Sequence, residues 1–97
     1  MANYLTIPEV VDAENLISYS MNSGDRSFNI VINVGTTANW LFEAAAKGTL
    51  IPFAILVTDG PMFALDDVYV TGAQVGTGGS GDSYMSFTLE AKEVRVA

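Results

Sequence analysis

Apolar and polar residues alternate with a period of two over most of this chain, and that period belongs to half-buried β-strands. In residues 27–34, Phe28, Ile30, Ile32 and Val34 fall on one face, with Asn29, Val31 and Asn33 on the other. Residues 4–11 alternate in the same way, with Pro8 removing a ladder donor, so that Pro8 marks an edge position or a strand end. Asp12 to Glu14 are expected to turn the chain, residues 16–21 to form a further strand, and Asn22, Ser23, Gly24 and Asp25 to form a turn by composition. Residues 51–58 are a nearly continuous apolar run, the pattern of a strand covered on both faces, which Asp59, Gly60 and Pro61 terminate.

The period changes once. After Gly35, Thr36 and Thr37 break the preceding strand, residues 38–47 read as the chain's helix. Thr37 is expected to cap its first turn, Lys47 sits at the negative end of the macrodipole, and Gly48 supplies a left-handed exit. Ala38, Leu41, Ala45 and Gly48 align along one side, with Trp40 and Ala44 beside them, so the helix should pack its broad apolar stripe on a sheet.

The last third predicts a long antiparallel hairpin. A strand pattern from Met62 to Gly72 leads to the Gly- and Ser-rich run 76–82, and a second strand pattern occupies 83–97. Gly76, Gly78, Gly79 and Gly81 suit backbone angles that residues with a Cβ adopt poorly. The closing strand carries one irregularity: Met85, Phe87, Leu89 and Ala91 share a phase, which then jumps to Val94 and Val96. A β-bulge around Lys92 or Glu93, or a change in which face is covered, would account for it. The expected fold is therefore mainly β, a barrel or a sandwich, with one short helix, and 97 residues suffice for one domain spanning 1–97.

Composition narrows the chemistry. Hydrophobic residues make up 49% of the chain and charged residues 15%, which leaves little polar material to cover a small globule and points to a partner on some apolar surface. Eleven acidic against four basic residues give a net charge of −7, which repels nucleic acid and acidic membrane surfaces. That charge serves solubility, and lining a channel it would also repel anionic cargo. There is no cysteine and hence no disulfide or thiolate chemistry. No apolar run approaches the length of a membrane span, and Met1 to Tyr4 lack the basic and apolar regions of a secretory signal. The expectation is a cytoplasmic protein whose export, if any, uses machinery other than a cleaved signal.

With no histidine, Ser-His and Cys-His nucleophile pairs are excluded and the commonest metal ligand is missing. Asp66 and Asp67 could form a carboxylate pair, but neighbouring strand residues point to opposite faces. The 76–81 glycines could converge on an anion, but they lack the Lys-Ser/Thr and the helix of a phosphate loop. A calcium cage from Asp82 with Asp66 or Asp67 lacks the required number and spacing of oxygens. Trp40, Leu41 and Phe42 read as core residues of an amphipathic helix before they read as a ligand pocket. No catalytic, cofactor-binding or metal site is expected, and the chain does not read as an enzyme.

One family combines these features in this order. Ser27-Phe28 and the strand after it, leading into Thr36-Thr-Ala-Asn-Trp-Leu-Phe-Glu-Ala-Ala-Ala-Lys-Gly48, resemble the strand and single helix of the haemolysin-coregulated protein (Hcp) and phage tail-tube family. The strand of residues 51–58 resembles the one after that family's helix. Val68-Tyr-Val-Thr-Gly72 with Thr77-Gly-Gly-Ser-Gly-Asp82 resembles its penultimate strand and turn, and Phe87-Thr-Leu-Glu-Ala91 its closing strand. The resemblance implies a small β-barrel or sandwich protomer that forms hexameric rings, which stack as the inner tube of a type VI secretion-like or phage-tail-like contractile injection machine. Its implied partners are further copies of itself and the sheath, spike or effector proteins of the machine. The chain is shorter than is usual for Hcp, before the helix and between Val57 and Phe63, so ring formation is implied more directly than stacking. The alternative is a monomeric β-sandwich adaptor or carrier that kept the fold for another task.

Overall fold

The computed structural model describes residues 3–7, 11–22, 24, 26–77 and 83–96. Among these residues, seven strands and one helix run in the order β1 (Tyr4–Ile7), β2 (Val11–Asn15), β3 (Ser18–Asn22), β4 (Ser27–Asn33), α1 (Thr36–Lys47), β5 (Ile51–Val57), β6 (Met62–Thr77) and β7 (Ser83–Val96). They form one antiparallel sheet of order β2-β1-β5-β6-β7-β4-β3.

The two ends of that order, β2 and β3, are separated in the chain by Leu16 and Ile17 alone, so the sheet must curl until its edges meet. Those two residues join the edges. The Leu16 amide donates to the Asn3 carbonyl beside β1 at 2.8 Å, and the Ile17 amide donates to the Val31 carbonyl of β4 at 2.7 Å. Successive amides of an extended chain point to opposite sides, so a single bent segment hydrogen-bonds both walls. The result is the barrel-like mainly-β architecture expected, with its core inside the curl.

That core holds Phe28, Ile30 and Ile32 of β4, which face Leu89, Phe87 and Met85 of β7 in register, all buried. Helix α1 adds Ala38, Leu41 and Ala44, with Trp40 and Ala45 partly buried against the same cluster. Gly48 ends the helix at φ 68°, in the left-handed region glycine occupies freely.

Five expectations need correction. Asp12 to Glu14 lie within β2, and the chain reverses earlier, between the paired residues Ile7 and Val11. Val34 lies past the end of β4 and is exposed, because the chain bends there towards the helix. The helix starts sooner than the apolar stripe suggests, at Thr36, with Gly35 as N-cap and no side-chain capping bond, so Thr37 is a helical residue rather than a cap. The β5 segment is covered fully on one face alone from Phe53 onward: Ala54 and Leu56 are buried, whereas Phe53, Ile55 and Val57 are half-buried, and the buried Ile51, opposite Val68, lies on the other side of the same change of phase that β6 shows. Gly76 is a strand residue paired with Tyr84, and β6 and β7 remain paired as far as Thr77 and Ser83. Pro8, Ser23, Asp25 and the run Gly78 to Asp82 lie outside the described residues.

The phase jump in the closing strand has a cause on both strands. In β6 the residues of the core cluster run Phe63, Leu65 and then Val68, Val70; in β7 they run Leu89, Ala91 and then half-buried Val94. Leu65 pairs with Val94, Asp66 with Glu93 and Val68 with Ala91, so the pairing passes through without slipping. Asp67 takes φ 51°, and this left-handed residue lets the strand exchange its inner and outer faces. The change of covered face is therefore the right alternative at Lys92 and Glu93, and the true register shift lies between Val70 and Gly72.

Candidate functional site

The face exchange divides the outside of the curled sheet into two surfaces of different chemistry. On the side of β3, β4, the first half of β7 and the second half of β6, the outward positions carry hydroxyls and amides. Ser20, Asn29, Thr88 and Gly72 lie in one cross-strand row, Ser18, Val31, Ser86 and Gln74 in the next, and Asn33, Tyr84 and Gly76 in a third. The Thr88 hydroxyl donates to Asn29 Oδ1 at 2.9 Å. No charged side chain enters these rows. Glu90, opposite Tyr69 and Ser27, is the first, at the boundary.

Beyond the exchange the outward face is mostly apolar along β1, β5 and the start of β6, with Arg95 opposite Ala64 and Glu93 opposite Asp66 on its β7 side. Tyr4 lies opposite Val57, Thr6 opposite Ile55, Ile55 opposite Ala64 and Val57 opposite Met62. Phe53, Ile55 and Val57 are half-buried and Met62 is exposed. Asp66 and Arg95 edge this patch, the guanidinium gripping the carboxylate through Nε and Nη2 at 3.1 Å each. At the boundary itself Leu50, Asp67, Tyr69, Thr71, Glu90, Ala91 and Lys92 line an open groove of about 530 Å³.

Of the sequence-level candidates for chemistry, Asp66 and Asp67 sit between the buried residues Leu65 and Val68. Both are half-exposed, so the face exchange turns both carboxylates away from the core, contrary to strict alternation. Asp66 is occupied by Arg95, and Asp67 lines the groove together with Lys92. Among the described residues no group of three or more His, Cys, Asp or Glu could hold a metal ion, and Asp82 lies outside those residues. Leu41 is buried and Phe42 exposed, on different sides of the helix; Trp40 borders a recess of about 100 Å³, well below the volume of a ligand pocket. Among the described residues, no helix is long and apolar enough to cross a membrane.

Sequence reading took residues 51–58 as apolar on both faces and expected both to be covered, without saying which would stay partly open. The signal for both faces was present, since Phe53, Ile55 and Val57 alternate with Ala54 and Leu56 and a strand apolar on both phases needs two covers.

No protein-family model matches the chain, and no curated protein is similar to it in sequence. Solved structures are. Hcp2 from Salmonella typhimurium superposes with a TM-score of 0.81 at 15% identity, covering 100% of this chain and 93% of that one. The fold is Hcp-like. Hcp1 from the same organism gives a TM-score of 0.79 at 18% identity over 97% of this chain and 85% of that one. A type VI secretion system effector from Yersinia pestis gives 0.80 at 9% identity, covering 98% and 96%. Such low identity with near-complete superposition means that different side chains satisfy one backbone plan, and the two-faced outer surface belongs to this chain's own residues.

Proposed function

We propose that this protein is a structural protomer that builds a ring or inner tube of a contractile injection machine, with a channel for cargo. The observation that carries the reading is the end-to-end superposition on Hcp structures, TM-score 0.81 over 100% of the chain. The surface is compatible with it: an apolar patch edged by Asp66, Glu93 and Arg95 on one side of the sheet, and an uncharged polar wall on the other. Copies associating through the first would leave the second free to line a passage on which neither acidic nor basic cargo meets a fixed charge. The function asked of the side chains is geometric. Closed six-fold symmetry would bury repeated copies of one heterologous contact. Electron microscopy of the purified protein, with its mass measured over a concentration series, tests this. Rings, with mass rising to a fixed multiple of the chain, are expected; uniform monomers at the highest concentration reached would favour the adaptor reading instead.

A further inference from the structure

The groove at the face exchange holds charge that the chain itself leaves unanswered. Its layout follows from strand register. Tyr69 lies opposite Glu90 on the outer face, and because Ile51 lies opposite Val68, Leu50 comes to stand on the other side of Tyr69. Asp67 falls between the pairs Asp66–Glu93 and Val68–Ala91, which sets it opposite Lys92. Leu50 and Tyr69 are exposed, by 44% and 45%, over a floor at the buried Ala91, so the groove has apolar walls open to solvent. Asp66 is held by Arg95, but among the described residues Asp67, Glu90 and Lys92 make no ion pair or side-chain hydrogen bond.

Two carboxylates against one ammonium leave the groove with a net negative charge, on a chain whose total of −7 already draws cations towards it. Asp67 and Lys92 stand opposite with opposite sign and largely offset one another, so the uncompensated group is Glu90, beside an exposed tyrosine. A carboxylate next to an aromatic ring favours a cation by charge and by the ring quadrupole together. A neutral occupant would strip water from Glu90 without replacing it, and an anion would meet two carboxylates. An inorganic cation has no use for the walls at Leu50 and Tyr69. The volume of about 530 Å³ falls within the roughly 300–1,000 Å³ of small-molecule sites.

We propose that this groove binds a small planar organic monocation, an amidinium or guanidinium group on an apolar or aromatic body. The planar group donates a fork of two N–H bonds to the Glu90 carboxylate, the geometry that distinguishes such cations from an ammonium. The chain forms the same fork nearby, where the Arg95 guanidinium grips Asp66 with two bonds of 3.1 Å. Leu50, Tyr69 and Ala91 cover the body of the ligand, and Lys92 disfavours a second positive charge. The site goes beyond the ring reading and does not depend on it.

Ligand-observed NMR titration of the purified protein, which reads weak binding to a particle of any mass, tests the site with three probes of one shape: cationic benzamidine, neutral benzamide and anionic benzoate. Benzamidine should bind saturably and about tenfold or more tighter than benzamide, with no binding of benzoate. Glu90→Gln, an exposed and nearly isosteric change, should weaken benzamidine about tenfold with the melting temperature unchanged, and Tyr69→Leu about threefold to tenfold. Lys92→Gln should act with the opposite sign and tighten it about threefold. Glu93→Gln removes an equal charge outside the groove and should shift affinity by less than about twofold. The site is overturned by a folded parent that shows no saturable benzamidine binding, by benzamide binding as tightly as benzamidine, by an unchanged affinity in Glu90→Gln or Tyr69→Leu, by a weaker one in Lys92→Gln, or by Glu93→Gln doing as much damage as Glu90→Gln. Each of these results leaves the ring reading standing, because the titration does not depend on the number of chains in the particle.

Discussion

Replacing Leu41 by Ala should remove much of the stability of this protein. Leu41 is fully buried, at the middle of the α1 stripe between Ala38 and Ala44. Truncation loses about 0.8 kcal/mol for each of roughly three carbons, or about 2.4 kcal/mol of transfer free energy. A residual cavity adds about 24 cal/mol per Å³, which brings Leu→Ala losses in packed cores to roughly 2.7–5 kcal/mol. Neighbours on the helix are alanines, too short to swing into the space, so the upper part of that range applies. Total stabilities are about 5–15 kcal/mol, and a chain of this size loses roughly 4–8 °C of Tm per kcal/mol. The melting temperature should therefore fall by more than about 10 °C. Urea denaturation repeated at several protein concentrations separates this loss from any concentration-dependent stability added by self-association. Phe42→Ala is the control: the next residue on the helix is 45% exposed and its loss should change stability by no more than about 0.5 kcal/mol. Equal midpoints for Leu41→Ala and the parent would refute the placement of this helix face on the core.

Two further substitutions probe the strand devices. At Asp67, where φ is 51°, Gly should be neutral or stabilising by up to about 1 kcal/mol, whereas Val should cost about 1–3 kcal/mol; thermal melts in which Gly is the worse of the two would show that the carboxylate, not the backbone angle, is what the position needs. A Cβ at Gly76 would stand 2.6 Å from Tyr84 Cζ, so Gly76→Ala must push that ring aside at a cost of about 1 kcal/mol, and the cost should vanish in a Tyr84→Ala background; a cost that persists there would place the strain in the backbone.

The alternation of residues 27–34, the helix over 38–47 with its glycine exit, and the hairpin on either side of the glycine run were legible because each depends on neighbours in sequence: period, propensity and backbone freedom. The same local signals explain why no catalytic constellation was expected, for a chain without histidine or cysteine has few nucleophile pairs open to it. The phase jump at Val94 was visible too, although its cause was not. Pairing decided that. Only when β6 lies beside β7 do Asp66 and Asp67 meet Lys92 and Glu93, and only then does one left-handed residue exchange the faces of both strands. Tertiary structure also separated the two phases of residues 53–57, since cover on each face comes from elements distant in sequence. The union of β2 with β3 through Leu16 and Ile17 was settled in the same way, because amides pointing to opposite sides record nothing in sequence about which carbonyls they will find. Period-two patterning tells which residues share a face. Which face turns inward, and what is left on the outside for another molecule, is set by the curl of the whole sheet.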